Sequence, residues 1–104
     1  MKTALEIDKE KIAAFCQRWR IQELDLFGSV LRDDFGPESD VDFLVVYAPG
    51  AKITLFDEAR MQEELGVLCG RPVDLVSRRA VEESPNWIRR KAILESAEPF
   101  YVAP

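Results

Sequence analysis

Asp40 and Asp42 stand one residue apart at the head of the apolar run Val41 to Tyr47. Side chains of an extended chain alternate between faces, so the two carboxylates project to one side while Val41 and Phe43 project to the other. Held close together beside an apolar core, they repel, and one retains its proton unless a cation is supplied. Hard oxygen ligands on a rigid strand suit Mg²⁺, which binds through one or two protein carboxylates and takes its remaining ligands from water and phosphate. Asp74 repeats the arrangement within "RPVDLVS", flanked by Val73 and Leu75, where a charge in an apolar strand needs a reason. If the two strands are neighbours, three carboxylates meet. The plainer reading of an isolated D-x-D is a pair of solvating charges at a loop end, with Asp74 exposed.

The residues upstream favour the chemical reading. Gly28 lets backbone approach a ligand closely, and Ser29 is expected to begin a short helix, where its hydroxyl and the neighbouring N–H groups can take a phosphate. Arg32, one turn on, could add positive charge. Alone, a Gly-Ser pair signals only a turn, and such an arginine is usually solvated. A phosphate site joined to a carboxylate metal site by a tight connection is what nucleotidyl transfer requires, because two metals can hold the attacking and leaving oxygens in line.

Several elements must position these groups. Asp8 can cap a helix over residues 9–19, on which Ile12, Phe15, Cys16 and Trp19 form an apolar stripe. Glu23 to Phe27 reads as a short strand ending at Gly28, and Val41 to Tyr47 as a second strand covered on both faces. Thr54 can cap a further helix with Asp57 in the capping-box position and Met61, Leu65 and Leu68 on one side. Gly70 sits where a left-handed C-terminal cap belongs. "RPVDLVS" makes a third strand, and Ser84-Pro85 starts a last helix with Trp87, Ile88, Ala92 and Leu94 as its apolar contacts. The order implies an α/β (α+β) fold, a small mixed sheet of three strands covered by helices.

Composition narrows the function. At 104 residues, with 47% hydrophobic and 32% charged positions, the chain is expected to form a single domain over 1–104. Its 19 acidic and 14 basic residues give a net charge of -5, which disfavours direct binding to nucleic acid. The basic stretch from Arg71 to Lys91 is interrupted by Glu82 and Glu83 and reads as a solvated face, although the cluster could still contact triphosphate or an acidic partner. Two cysteines make no disulfide framework, and no signal peptide or membrane-spanning run is present, so a cytoplasmic location is expected. There is no histidine, which excludes Ser-His-Asp and Cys-His sites and zinc sites built on imidazole. Any catalysis must rest on carboxylates, hydroxyls, Lys or Arg.

Gly28-Ser29, ten intervening residues, Asp40-Val41-Asp42 and a later strand carboxylate at Asp74 resemble the signature of the DNA polymerase beta-like nucleotidyltransferase superfamily. In length and in the wording "GSVLRDDFGPESDVDFLV", the chain is similar to the minimal nucleotidyltransferase (MNT) antitoxins that accompany HEPN-domain toxins, and "NWIRRKAILESAEPFY" continues the similarity. The resemblance implies the polymerase beta-like fold. It also implies Asp40 and Asp42 as metal ligands and Asp74 as third carboxylate and base. Gly28 and Ser29 become triphosphate contacts, with Arg32 a weaker transfer. Two Mg²⁺ ions, ATP as substrate, and a helical ribonuclease toxin as partner in a hetero-oligomer follow from the same likeness.

Three functions compete. The first is an antitoxin enzyme of a type VII-like HEPN/MNT pair that transfers AMP from ATP to a tyrosine of its toxin. The second is a stoichiometric antitoxin that covers the toxin without turnover. The third is a small-molecule nucleotidyltransferase. Against the third, a sheet of three strands leaves the metal site open, and 104 residues leave no segment to wall an acceptor pocket.

Overall fold

The computed structural model describes residues 7–28 and 39–104. Ser29, Arg32 and the short helix expected to start at Ser29 lie outside the described residues. Asp8 accepts a hydrogen bond from the Glu10 amide at 2.9 Å and starts helix α1 (Lys9–Arg18), which buries Ile12, Phe15 and Cys16 as their spacing predicts. Strand β1 (Ile21–Phe27) follows, and after it β2 (Val41–Tyr47). Thr54 and Asp57 close a reciprocal capping box at 3.1 and 3.0 Å ahead of α2 (Leu55–Cys69). Gly70 ends that helix at φ 68°, a left-handed conformation that costs glycine little.

Strand β3 (Val73–Ser77) pairs with β2 in parallel, and the crossover a parallel pair needs is supplied by α2. Two short elements were not expected. Helix α3 (Arg78–Glu82) is capped by Ser77, and β4 (Glu98–Val102) adds a fourth strand antiparallel to β1. The sheet is therefore mixed, in the order β3-β2-β1-β4. Pro99 hides β4 from sequence reading, yet proline is tolerated on an edge strand. At the other edge, the Leu75 amide of β3 donates to Gln62 Oε1 of α2 at 2.9 Å.

Helix α4 (Trp87–Ser96) is capped by Asn86, two residues past the expected Ser84. The Asn86 side chain accepts from the Arg89 amide at 3.1 Å, while Ser84 Oγ accepts from the Asn86 amide at 3.3 Å. Trp87 and Ile88 do not pack as expected; they are 60% and 64% exposed, and Ile93 is the buried residue. Ala92, also expected to pack, is exposed, and Trp87 lies roughly a third of a turn round the 3.6-residue helix from Ile93, so when Ile93 faces the sheet, Trp87 faces water.

The two sheet faces carry separate apolar clusters. On one, Leu24, Leu26, Val41, Phe43 and Val45 pack against the buried faces of α1 and α2. On the other, Phe27 and Leu44 pack against Val81 of α3 and Ile93 of α4. Each fully buried side chain of this size contributes roughly 1.5–3 kcal/mol, and the first cluster is the larger. Among the described residues, no helix is long and apolar enough to cross a membrane.

Candidate active site

Phe27, the last residue of β1, pairs with Asp42, and Asp42 pairs with Asp74 across the parallel strands. One row of the sheet thus carries two carboxylates on adjacent strands, whose backbones run about 4.8 Å apart. Alternation places both on the face that also carries Leu44 and Val76, the side of α3 and α4. The row forms the floor of a cavity of about 600 Å³, within the range of small-molecule sites. Phe27, Gly28, Asp42 and Asp74 line it from the sheet, and Arg89, Ala92, Ile93 and Ser96 from α4.

Gly28 has φ 74°, and a Cβ there would collide with Asp42 Oδ2 and lie 3.3 Å from Asp42 Cγ. The glycine was expected to admit a ligand's phosphate. What its bare Cα admits in this structure is the Asp42 carboxylate itself.

The structure brings together three of the expected site residues, Gly28, Asp42 and Asp74. Asp40 is exposed, precedes β2, and is absent from the cavity lining. Being ahead of the first ladder residue, it is not held by the pleat that aims Asp42. Among the described residues, no three carboxylates or thiols stand close enough to hold one metal ion. The Asp42–Asp74 pair nonetheless fits a hard divalent cation: both groups offer oxygen, they flank one another in register, and the space left by Gly28 seats one of them.

Sequence reading missed α4 as a wall of the site. Arg89, Ala92, Ile93 and Ser96 fall at i, i+3, i+4 and i+7, a helical stripe that was legible had Ile93 been taken as its centre. Ser96 Oγ is already engaged, donating to the Ile93 carbonyl at 3.3 Å.

A further carboxylate was missed on the same face. Asp25 pairs with Leu44, and its side chain is only 4% exposed. Among the described residues Oδ1 has no hydrogen-bond partner, and Oδ2 stands 4.0 Å from Arg78 Nη1, whose guanidinium also pairs with Glu82. Burial above all, then proton sharing with Glu23 and its charge, push Asp25 up to about 7 against the opposing pull of Arg78. Burial likewise pushes the Cys16 thiol up to about 12 and Cys69 up to about 11, which rules both out as thiolate nucleophiles at neutral pH.

The Nucleotidyltransferase domain family matches residues 9–99. A solved structure described as a minimal nucleotidyltransferase is 35% identical, covers 88% of both chains and superposes with a TM-score of 0.65. A toxin–antitoxin complex with AMP-PNP is 18% identical over 93% of this chain and 75% of that one, with a TM-score of 0.70. A Shewanella oneidensis complex of a tri-AMPylated HEPN toxin with its MNT antitoxin is also 18% identical, over 91% of this chain and 70% of that one, at a TM-score of 0.62. No curated protein matches. With the family spanning nearly the whole chain and the paired aspartates at the cavity floor, this protein belongs to the nucleotidyltransferase family.

Proposed function

We infer that this chain is an antitoxin that transfers AMP from ATP to a tyrosine of a HEPN ribonuclease toxin and so silences it. The observation that carries the reading is the register pairing of Asp42 with Asp74 at the floor of an open cavity. Support comes from the similar complexes, one with AMP-PNP and one with a tri-AMPylated HEPN toxin.

Asp42 and Asp74 would hold Mg²⁺, with Asp40 as the further ligand that the family resemblance implies. When bound, the cation supplies positive charge against the phosphate oxygens. Gly28 and Ser29 contact the triphosphate, with Arg32 a weaker third. Asp74, whose strand leaves it exposed, takes the proton of the incoming phenol. The phenol oxygen bonds to the α-phosphorus, the bond from that phosphorus to the bridging β-oxygen breaks, and pyrophosphate leaves. The products are tyrosyl-AMP on the toxin, pyrophosphate and the proton held on Asp74.

Among the described residues the cavity has walls on the sheet side and on α4, which suits a tyrosine borne by a partner and entering from outside. AMP on that tyrosine adds bulk and negative charge, which repel an RNA backbone. ATP and Mg²⁺ make the cytoplasm the site of action, in a hetero-oligomer with the toxin.

Incubating the chain and its toxin with ATP labelled at the α- or the γ-phosphate tests this reading. Label should reach the toxin from the α-position only, with release of pyrophosphate. Silencing of the toxin with no label transferred would favour a stoichiometric antitoxin instead.

A further inference from the structure

Arg89 is a cation on the wall of a cavity whose floor is anionic. It reaches the lining from the first turn of α4, the same helix that contributes Ala92, Ile93 and Ser96. Arg18 is engaged with Glu64, Arg78 with Asp25 and Glu82, Arg79 with Glu83, and Arg90 with the Ser84 carbonyl at 2.6 Å, while Arg20 and Arg60 do not line this cavity. The Arg89 guanidinium has no carboxylate partner among the described residues, although Asp42 and Asp74 line the same cavity. Its backbone is fixed, because the Asn86 cap accepts from the Arg89 amide.

Two carboxylates alone repel a polyphosphate, and breaking the α–β bond concentrates still more negative charge on the departing pyrophosphate. A guanidinium has five donors in a planar fork that matches phosphate oxygens two at a time, and it stays charged at any working pH. We propose that Arg89 binds the β- and γ-phosphates of the nucleotide and holds the leaving pyrophosphate, so that α4 is the helix through which the site selects triphosphate over monophosphate. This rests on the nucleotidyl-transfer reading of the Asp42–Asp74 cavity.

Calorimetric titration with AMP-PNP and with AMP, both with Mg²⁺, tests it on the wild type and on Arg89→Ala, Arg89→Lys and Lys91→Ala. Lys91 carries the same charge on the same helix and is exposed like Arg89, but it is off the cavity stripe, so it controls for the general field. Arg89→Ala should weaken AMP-PNP by roughly ten- to a hundredfold, as expected for lost charge-assisted hydrogen bonds, and leave AMP within about twofold. Arg89→Lys should keep part of the AMP-PNP affinity, and Lys91→Ala should match wild type. Circular dichroism should show all four proteins equally helical. Equal weakening of AMP-PNP and AMP would move Arg89 to the base or ribose and overturn the proposal, as would a Lys91→Ala effect of the same size. If wild type binds AMP-PNP and labels its partner while Arg89→Ala is indistinguishable from it, this inference alone falls. A wild type that binds AMP-PNP but transfers nothing, with the Arg89→Ala selectivity lost, keeps the subsite and removes the transfer reading. No binding of AMP-PNP by wild type removes both.

Discussion

Asp42 and Asp74 are register partners across the parallel strands β2 and β3, so one row of the sheet sets two carboxylates side by side at the cavity floor. Neither position is interchangeable with its neighbours, since a shift of one residue on either strand would send that carboxylate to the opposite face. The pairing turns two unremarkable strand residues into a candidate binding unit for one cation.

Because the two act together, their removal should be strongly non-additive. Asp42→Asn and Asp74→Asn are each expected to lower the rate of AMP transfer by roughly a hundredfold or more, and the double variant little further. Asp74→Asn should retain more nucleotide binding than Asp42→Asn, because the proton-accepting role proposed for Asp74 would be exercised only during transfer. Steady-state kinetics beside calorimetry check this, and additive losses would separate the two residues.

Gly28→Ala should act through Asp42. The new Cβ meets Asp42 Oδ2 and must also adopt φ 74°, so a loss of roughly 1–3 kcal/mol in stability is expected. Nucleotide binding should fall with it, while the isosteric Asp42→Asn in a Gly28→Ala background should recover part of the stability, since an uncharged amide is cheaper to displace. Urea unfolding of wild type and the two variants decides this. Wild-type stability in Gly28→Ala would show that the turn has other room.

The exposed and buried sides of α4 offer a contrast. Ile93→Ala should cost about 2–4 kcal/mol because it empties the second apolar cluster, whereas Ile88→Ala, at a residue 64% exposed, should stay within about 0.5 kcal/mol. Thermal unfolding distinguishes them. Equal costs would mean that α4 is rotated from the orientation described.

Asp25 makes stability depend on pH. Its folded value of about 7 lies above the ordinary 3.8, so the folded protein keeps a proton that the unfolded chain releases. That contribution is fully present below about pH 4 and is lost as pH rises through about 7. Between about pH 5 and pH 8, the Asp25 contribution should fall by on the order of 1–3 kcal/mol. The groups facing it, Glu23 on β1 and Arg78 and Glu82 on α3, remain in Asp25→Asn, which should flatten the slope. An identical pH profile in Asp25→Asn would clear this carboxyl of the effect.

How much of this was legible in the sequence depended on whether local chemistry decided the outcome. Thr54 with Asp57 and the terminal Gly70 announce α2 because caps act within one turn, and both form as expected. The "FLVVY" run announces a covered strand because both faces of β2 are in fact packed. Strand β4 escaped because Glu98-Pro99 offers no alternation, and its pairing with β1 is set by distant residues. The facing of α4 escaped for the same kind of reason: Trp87 and Ile93 are equally apolar in sequence, and only the position of the sheet selects Ile93. At the site, Asp42 and Asp74 were legible from their strands, but Arg89 only as one member of a basic stretch, and Asp25 not at all. Their neighbours across the fold, not along the chain, give them meaning.

Intact-mass spectrometry of the HEPN toxin co-expressed with this chain tests the central claim most directly. With the wild-type chain, the toxin should gain one or more AMP-sized mass increments that map to tyrosine, and the increments should vanish with Asp42→Asn or Asp74→Asn while the variants remain folded. An unmodified toxin that is silenced equally by wild type and by both variants would contradict the account.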